Sequence, residues 1–217
     1  MAVADPPETD QLSVRLRIGT RGDHDAAQGS GFLDALADGR LPRAAYADLA
    51  AQHWFIYQTL EEAALAMIDD PVAGDFVLPE LSRLPALSDD LEFLLGPPWA
   101  ERIVASPATV AYQNRLRSVA FDRPSAFVAH HYTRYLGDLS GGQFLGPAIA
   151  HSYRLQGDGH RFFVFEGVRP PAFRTRYRRA LDTIGWPPAE ETAFLAEVSE
   201  AYRLNIDVLA DLKERWT

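Results

Sequence analysis

The stretch Tyr132-Thr133-Arg134-Tyr135-Leu136-Gly137-Asp138-Leu139-Ser140-Gly141-Gly142-Gln143 constrains this chain most. It lies inside a long run with helical spacing, yet Gly137, Gly141 and Gly142 fall within six residues. Each interior glycine costs a helix about 0.5–1 kcal/mol relative to alanine. In return the missing Cβ lets the backbone itself lie against something flat and large. Gly137 and Gly141 are four apart and share a face. Arg134 stands one turn before Asp138, within reach of its carboxylate. Glycine and serine clusters kink helices, so the expectation is a helix bent at these glycines. The plainer alternative is a helix end followed by a turn at Ser140-Gly141-Gly142.

The rest of the chain reads as helices. Between Asp10 and Gln28 the spacing of Leu12, Val14, Leu16 and Ile18 suits a strand as well as a helix. Gly29-Ser30-Gly31 breaks the segment, and Ser30 is an expected N-cap for a short helix through Ala37, closed by Gly39. Pro42 sits at a helix start, and Tyr46, Leu49, His53, Ile56, Leu60, Ala64 and Met67 give one apolar face as far as about Asp69. Further helices are expected over 79–95, from Ser106-Pro107 to Phe121, from Pro124 to Leu155 with a second bend at Pro147, over 172–184 and over 188–214. Phe162-Phe163-Val164-Phe165 is either a short strand or an apolar loop. The fold class is all-α, with a disordered terminus at 1–8 and one domain over 9–217.

Composition narrows the function. The 217 residues include no cysteine, which excludes disulfides and thiolate ligands, and 47% are hydrophobic, enough for a sizeable core. A net charge of −9 argues against nucleic acid as a partner. Twenty of the 21 basic residues are arginine, so Arg174, Arg176, Arg178 and Arg179 stand out as a local basic run in an acidic chain. It is either a solvated face or a docking surface for an acidic partner. No window approaches 18 apolar residues, and the start lacks a signal-peptide pattern, so a cytoplasmic monomer with no membrane contact is expected.

Tyr132 to Gln143 resembles the distal-helix signature of the haem oxygenases, with glycine, aspartate, leucine, serine, glycine, glycine and glutamine in the family's order. Leu16 to His24 is similar to the family's first helix, Gln52 to Glu62 to its third, and Phe173 to Arg179 to the late helix that meets the haem propionates. The resemblance implies a single-domain helical fold with haem between a proximal helix and a kinked distal helix. It implies a haem-degrading monooxygenase that uses dioxygen, with electrons from a ferredoxin or an NAD(P)H-dependent reductase. Haem is cofactor and substrate, and the products are biliverdin, carbon monoxide and ferrous iron.

The resemblance also assigns residues. His24 matches the proximal iron ligand, whereas spacing alone would equally nominate His131, seven residues before Asp138. Arg17 lies seven residues before His24 and Arg21 three before it, placed to meet propionates. Tyr132, Arg174 and Arg178 match further propionate contacts. Gly137 and Gly141 would let the distal backbone approach iron-bound dioxygen. Asp138 would hold the waters that deliver a proton, with Arg134 orienting it and keeping it ionised. Tyr57 is either a member of that network or a core aromatic. Gln28 stands where many relatives carry an acidic residue facing the imidazole. A neutral amide accepts more weakly, so a higher iron potential than in a Gln28→Glu variant is expected. A helical di-iron protein would need a Glu-x-x-His motif, which is absent. A haem carrier that does not cleave its ligand is the nearer rival, and it would not need the Arg134–Asp138 pair.

Overall fold

The computed structural model describes residues 11–23 and 31–217. His24, Gln28, Ser30 and the terminus at 1–8 lie outside the described residues. Among the described residues there is no strand, and the elements are helices: α1 (Leu12–Gly19), α2 (Phe32–Ala37), α3 (Arg43–Met67), α4 (Leu84–Leu95), α5 (Pro107–Val119), α6 (Pro124–His131), α7 (Gly137–Ser152), α8 (Pro170–Thr183) and α9 (Pro188–Trp216). A π-turn, Tyr132–Leu136, joins α6 to α7.

Prolines and one serine set several starts. Pro42 caps α3 with an extended backbone, φ −67° and ψ 155°. Ser106 caps α5, its hydroxyl accepting from the Thr109 N–H, with Pro107 in the first turn. Proline loses nothing there, because first-turn N–H groups have no helical partner. Gly31, in the left-handed region at φ 71°, occupies the cap position of α2 that was expected for Ser30. Leu12, Val14, Leu16 and Ile18, whose spacing suited strand or helix, lie in a helix. α1 ends at Gly19, and Thr20 forms a turn before helical geometry resumes at 21–23. Counting helical faces from Arg17 across Thr20 therefore does not hold.

Long helices carry the packing. α9 lies against α5 and α6, and α3 packs on α4, α5 and α6. Their apolar faces form one core with Tyr46, Ile56, Tyr57, Leu60, Leu116, Phe127, Phe194 and Val198 fully enclosed. α1 docks on α8 through Ser13, whose N–H and hydroxyl both donate to Asp182 at 2.8 and 2.9 Å.

The Phe162–Phe165 segment is neither strand nor plain loop. Asp90, fully buried in the middle of α4, accepts from the N–H groups of Arg161 and Phe162, both at 2.8 Å, and winds residues 161–163 into a 3₁₀ turn. Arg83 donates to the carbonyls of Phe162 (3.2 Å) and Val164 (2.8 Å) and lies 3.9 Å from the Phe165 ring. A buried Arg and a buried Asp thus fix a turn whose apolar side chains give no periodic signal. The turn holds Phe163 against α7.

Candidate active site

The distal segment is helical from Pro124 to Ser152, and its irregularity is not at the glycines. The π-turn lies one turn earlier, and Gly137 has ordinary helical angles, φ −60° and ψ −52°. α7 also continues through Pro147 without interruption. Neither the glycines nor Pro147 interrupts the helix; the departure from regular geometry is the π-turn, a device common at functional sites. The glycines serve close approach instead. A Cβ on Gly142 would lie 3.1 Å from the Phe163 ring, and one on Gly146 only 2.7 Å from the Phe163 Cβ. These two weld α7 to the 3₁₀ turn. Gly137 and Gly141 share a different face, and a Cβ on either would meet nothing within 4 Å.

Beside that open face lies a buried polar cluster. The Tyr57 hydroxyl, from α3, donates a short hydrogen bond to Asp138 Oδ2. Arg134 Nη2 donates to the same oxygen at 3.4 Å, and Arg134 Nη1 donates to Asn205 Oδ1 of α9 at 2.6 Å. Arg134 is only 4% exposed and lies 5.2 Å from the Tyr57 ring. Tyr57 is therefore enclosed in the core and also bonded to Asp138. Asn205 was not foreseen. It comes from 71 residues away, and no local pattern links it to Arg134.

Burial pushes the Asp138 carboxyl above its ordinary range, while the Arg134 charge, the Tyr57 hydrogen bond and the Arg83 charge pull it back. The net direction is upward, so Arg134 only partly offsets burial rather than simply holding the group ionised. Burial likewise raises the Tyr57 hydroxyl, and the neighbouring Asp138 charge raises it further.

A second group lines the approach. Tyr132 is half-buried, and its raised hydroxyl is set first by burial, opposed by the nearby charges of Arg178 and Arg17. The fold thus brings α1, the π-turn and α8 to one place, with both arginines exposed. Arg174 Nη1 donates to Ser140 Oγ at 3.3 Å, on the flank of α7. Arg21 is exposed just beyond α1. His131, the rival nominated by spacing, is sealed in the core. Its Nδ1 lies 3.0 Å from the Tyr177 hydroxyl, and burial takes the ring down to about 3. His130 is fully buried against Glu197 at 3.0 Å. His53, placed by its spacing on the apolar face of α3, is buried against Phe162.

The open face suits a flat ring system: backbone without side chains on one surface, a carboxylate on one flank and guanidinium groups on the other. The family model described as Heme oxygenase matches residues 10–211. The chain is 33% identical over 203 residues to heme oxygenase 1 of Synechocystis, covering 93% of this chain and 85% of that one. It is 36% identical over 206 residues to the heme oxygenase of Takifugu rubripes, covering 94% and 74%. The chain belongs to the haem oxygenase family. As a haem oxygenase it is a haem-degrading enzyme, and its fold agrees with solved relatives. The Synechocystis heme oxygenase-1 in complex with heme superposes with a TM-score of 0.89 at 32% identity, covering 94% of this chain and 93% of that one. Heme oxygenase-2 of Synechocystis, with heme and NO, gives 0.90 at 31% identity, covering 94% and 86%. No helix among the described residues of this haem oxygenase is long and apolar enough to cross a membrane.

Proposed function

We propose that haem binds as substrate and cofactor against the Gly137–Gly141 face, with His24 as the proximal ligand, and is opened by dioxygen and reducing equivalents to biliverdin, carbon monoxide and ferrous iron. The observation that carries this reading is the open glycine face lying directly beside the Asp138–Arg134–Tyr57 cluster. The iron and the conjugated ring supply the redox chemistry. The chain's own residues supply position, charge and protons.

Arg17, Arg21, Arg174, Arg178 and Tyr132 would hold the propionates by charge-assisted hydrogen bonds. Gln28 would face the proximal imidazole. Asp138, with a carboxyl raised above its ordinary range by burial, is suited to exchange a proton through a bound water. Tyr57 and Arg134 fix its Oδ2, leaving Oδ1 for that water. A passive carrier has no use for a carboxylate held this way.

A cytoplasmic reaction is compatible with a cysteine-free chain, which needs no oxidising compartment. An acidic ferredoxin or NAD(P)H-dependent reductase would dock on the exposed arginines of α8.

Replacing the proximal ligand tests the binding mode. His24→Ala should lose the five-coordinate histidine spectrum of the haem complex and regain it with added imidazole. A normal spectrum in that variant would move the ligand to another residue.

A further inference from the structure

We propose that Phe144 is the apolar wall of the haem slot, packing on the porphyrin edge one turn beyond Gly141 and fixing how the macrocycle sits in its plane. This rests on the haem reading above and adds to it a residue that decides specificity. Phe144 is 82% exposed, more than any other large hydrophobic side chain among the described residues. An aromatic ring left in water forfeits a large burial energy, so its position on the helix matters.

At about 100° per residue, Gly137, Gly141 and Phe144 fall within a sector of roughly 60° on α7. The helix is unbroken from Gly137 to Ser152, so that register holds. Phe144 then sits about 4–5 Å along the axis beyond Gly141 and about 10 Å beyond Gly137. Asp138 flanks this strip on one side. Ser140, carrying the Arg174 hydrogen bond, flanks it on the other. The strip itself runs glycine, glycine, phenylalanine: two positions that admit a flat ring and one that stops it.

A planar substrate lying on the two glycines meets the Phe144 side chain at its edge. The contact removes apolar surface of both partners from water and opposes rotation of the ring in its own plane. Rotation would change which meso carbon is presented beside Asp138. Phe144 is therefore a positioning group for the ring cleavage and takes no part in proton transfer.

The test uses Phe144→Ala and Phe144→Leu in the haem-loaded full-length protein, with helix content checked by circular dichroism. Three properties are read: haem transfer to excess apomyoglobin without turnover, the haem methyl resonances of the ferric complex, and the biliverdin isomers formed. Phe144→Ala should still bind one haem, release it about tenfold faster or more, show more than one seating and give mixed isomers. Phe144→Leu should fall between. Wild-type release with one set of resonances and one isomer in Phe144→Ala would overturn the proposal. So would a defect confined to the KM for a reduced protein donor, which would make the ring a partner anchor. If the wild-type protein takes up no haem, the underlying haem reading fails instead.

Discussion

Asp138 carries opposing influences on one carboxyl group. Burial raises it, while Arg134, Tyr57 and Arg83 lower it. Asp138→Ala should leave haem binding near wild type and slow biliverdin formation by about 10²–10⁴-fold, the usual worth of a positioned proton donor or acceptor; single-turnover absorbance reads both. Tyr57→Phe removes a bond that stabilises the carboxylate, so the Asp138 carboxyl should rise further. If the ionised form is the working one, the acid limb of the pH–rate profile moves to higher pH, and an unmoved limb would separate Tyr57 from the network. At this scale the sequence was legible where partners lie close along it. Arg134 and Asp138 are four apart on a helical run, and their pairing could be read directly. Tyr57 needed the family resemblance, and Asn205 left no signal at all.

α7 shows how one element can use the same residue type in two ways. Gly142 and Gly146 admit Phe163, whereas Gly137 and Gly141 face open space. Gly146→Ala should destabilise the protein by about 1–3 kcal/mol, since its new methyl would collide with the Phe163 Cβ. Gly141→Ala should do the reverse for the haem-free protein, adding about 0.5–1 kcal/mol through helix propensity, while weakening its haem complex. Thermal melts with and without haem check both, with about 2–4 °C expected per kcal/mol for a chain of this size. Glycines four apart were visible in the sequence. Which pair packs and which stays open was not, because that depends on Phe163, whose turn is held by Asp90 of α4 and by Arg83 just before it. The π-turn was also hidden: it falls in Tyr132–Leu136, just before the glycines that drew attention, and Gly137 itself keeps regular helical angles.

Across the whole molecule, α9 locks the distal segment from behind. Arg115 donates two hydrogen bonds to Glu197, one at 2.9 and one at 2.5 Å, and the buried His130 ring lies on the same carboxylate. Burial pushes the Glu197 carboxyl up, but the hydrogen bonds and charges of these partners outweigh it and bring it to about 2. Burial keeps the His130 ring itself below its ordinary value, so Arg115 is the lasting cation of the group. The folded carboxyl is therefore lower than the unfolded one. Its stabilisation is fully present above the ordinary carboxylate range and is lost as pH falls toward about 2. Glu197→Gln should cost about 3 kcal/mol at neutral pH, with the gap to wild type closing in urea melts as acid is added. A constant gap would place the cost in packing. The all-α class and the main helix starts were legible, since Pro42, Ser106, Pro124 and Pro188 announce them. The long-range ties among α5, α6 and α9 were not, because buried ion pairs join positions with no shared period.

The open glycine face beside Asp138 is proposed to hold haem and direct its cleavage. The most direct measurement is single turnover of the haem-loaded protein with ascorbate or a ferredoxin system, following Soret loss and bilin absorbance in wild type and Asp138→Ala side by side. This role for the glycine face predicts a one-to-one complex in both, with bilin forming at least about 10²-fold more slowly in Asp138→Ala. A wild-type protein that takes up no haem, or an Asp138→Ala protein that makes bilin at the wild-type rate, would contradict it.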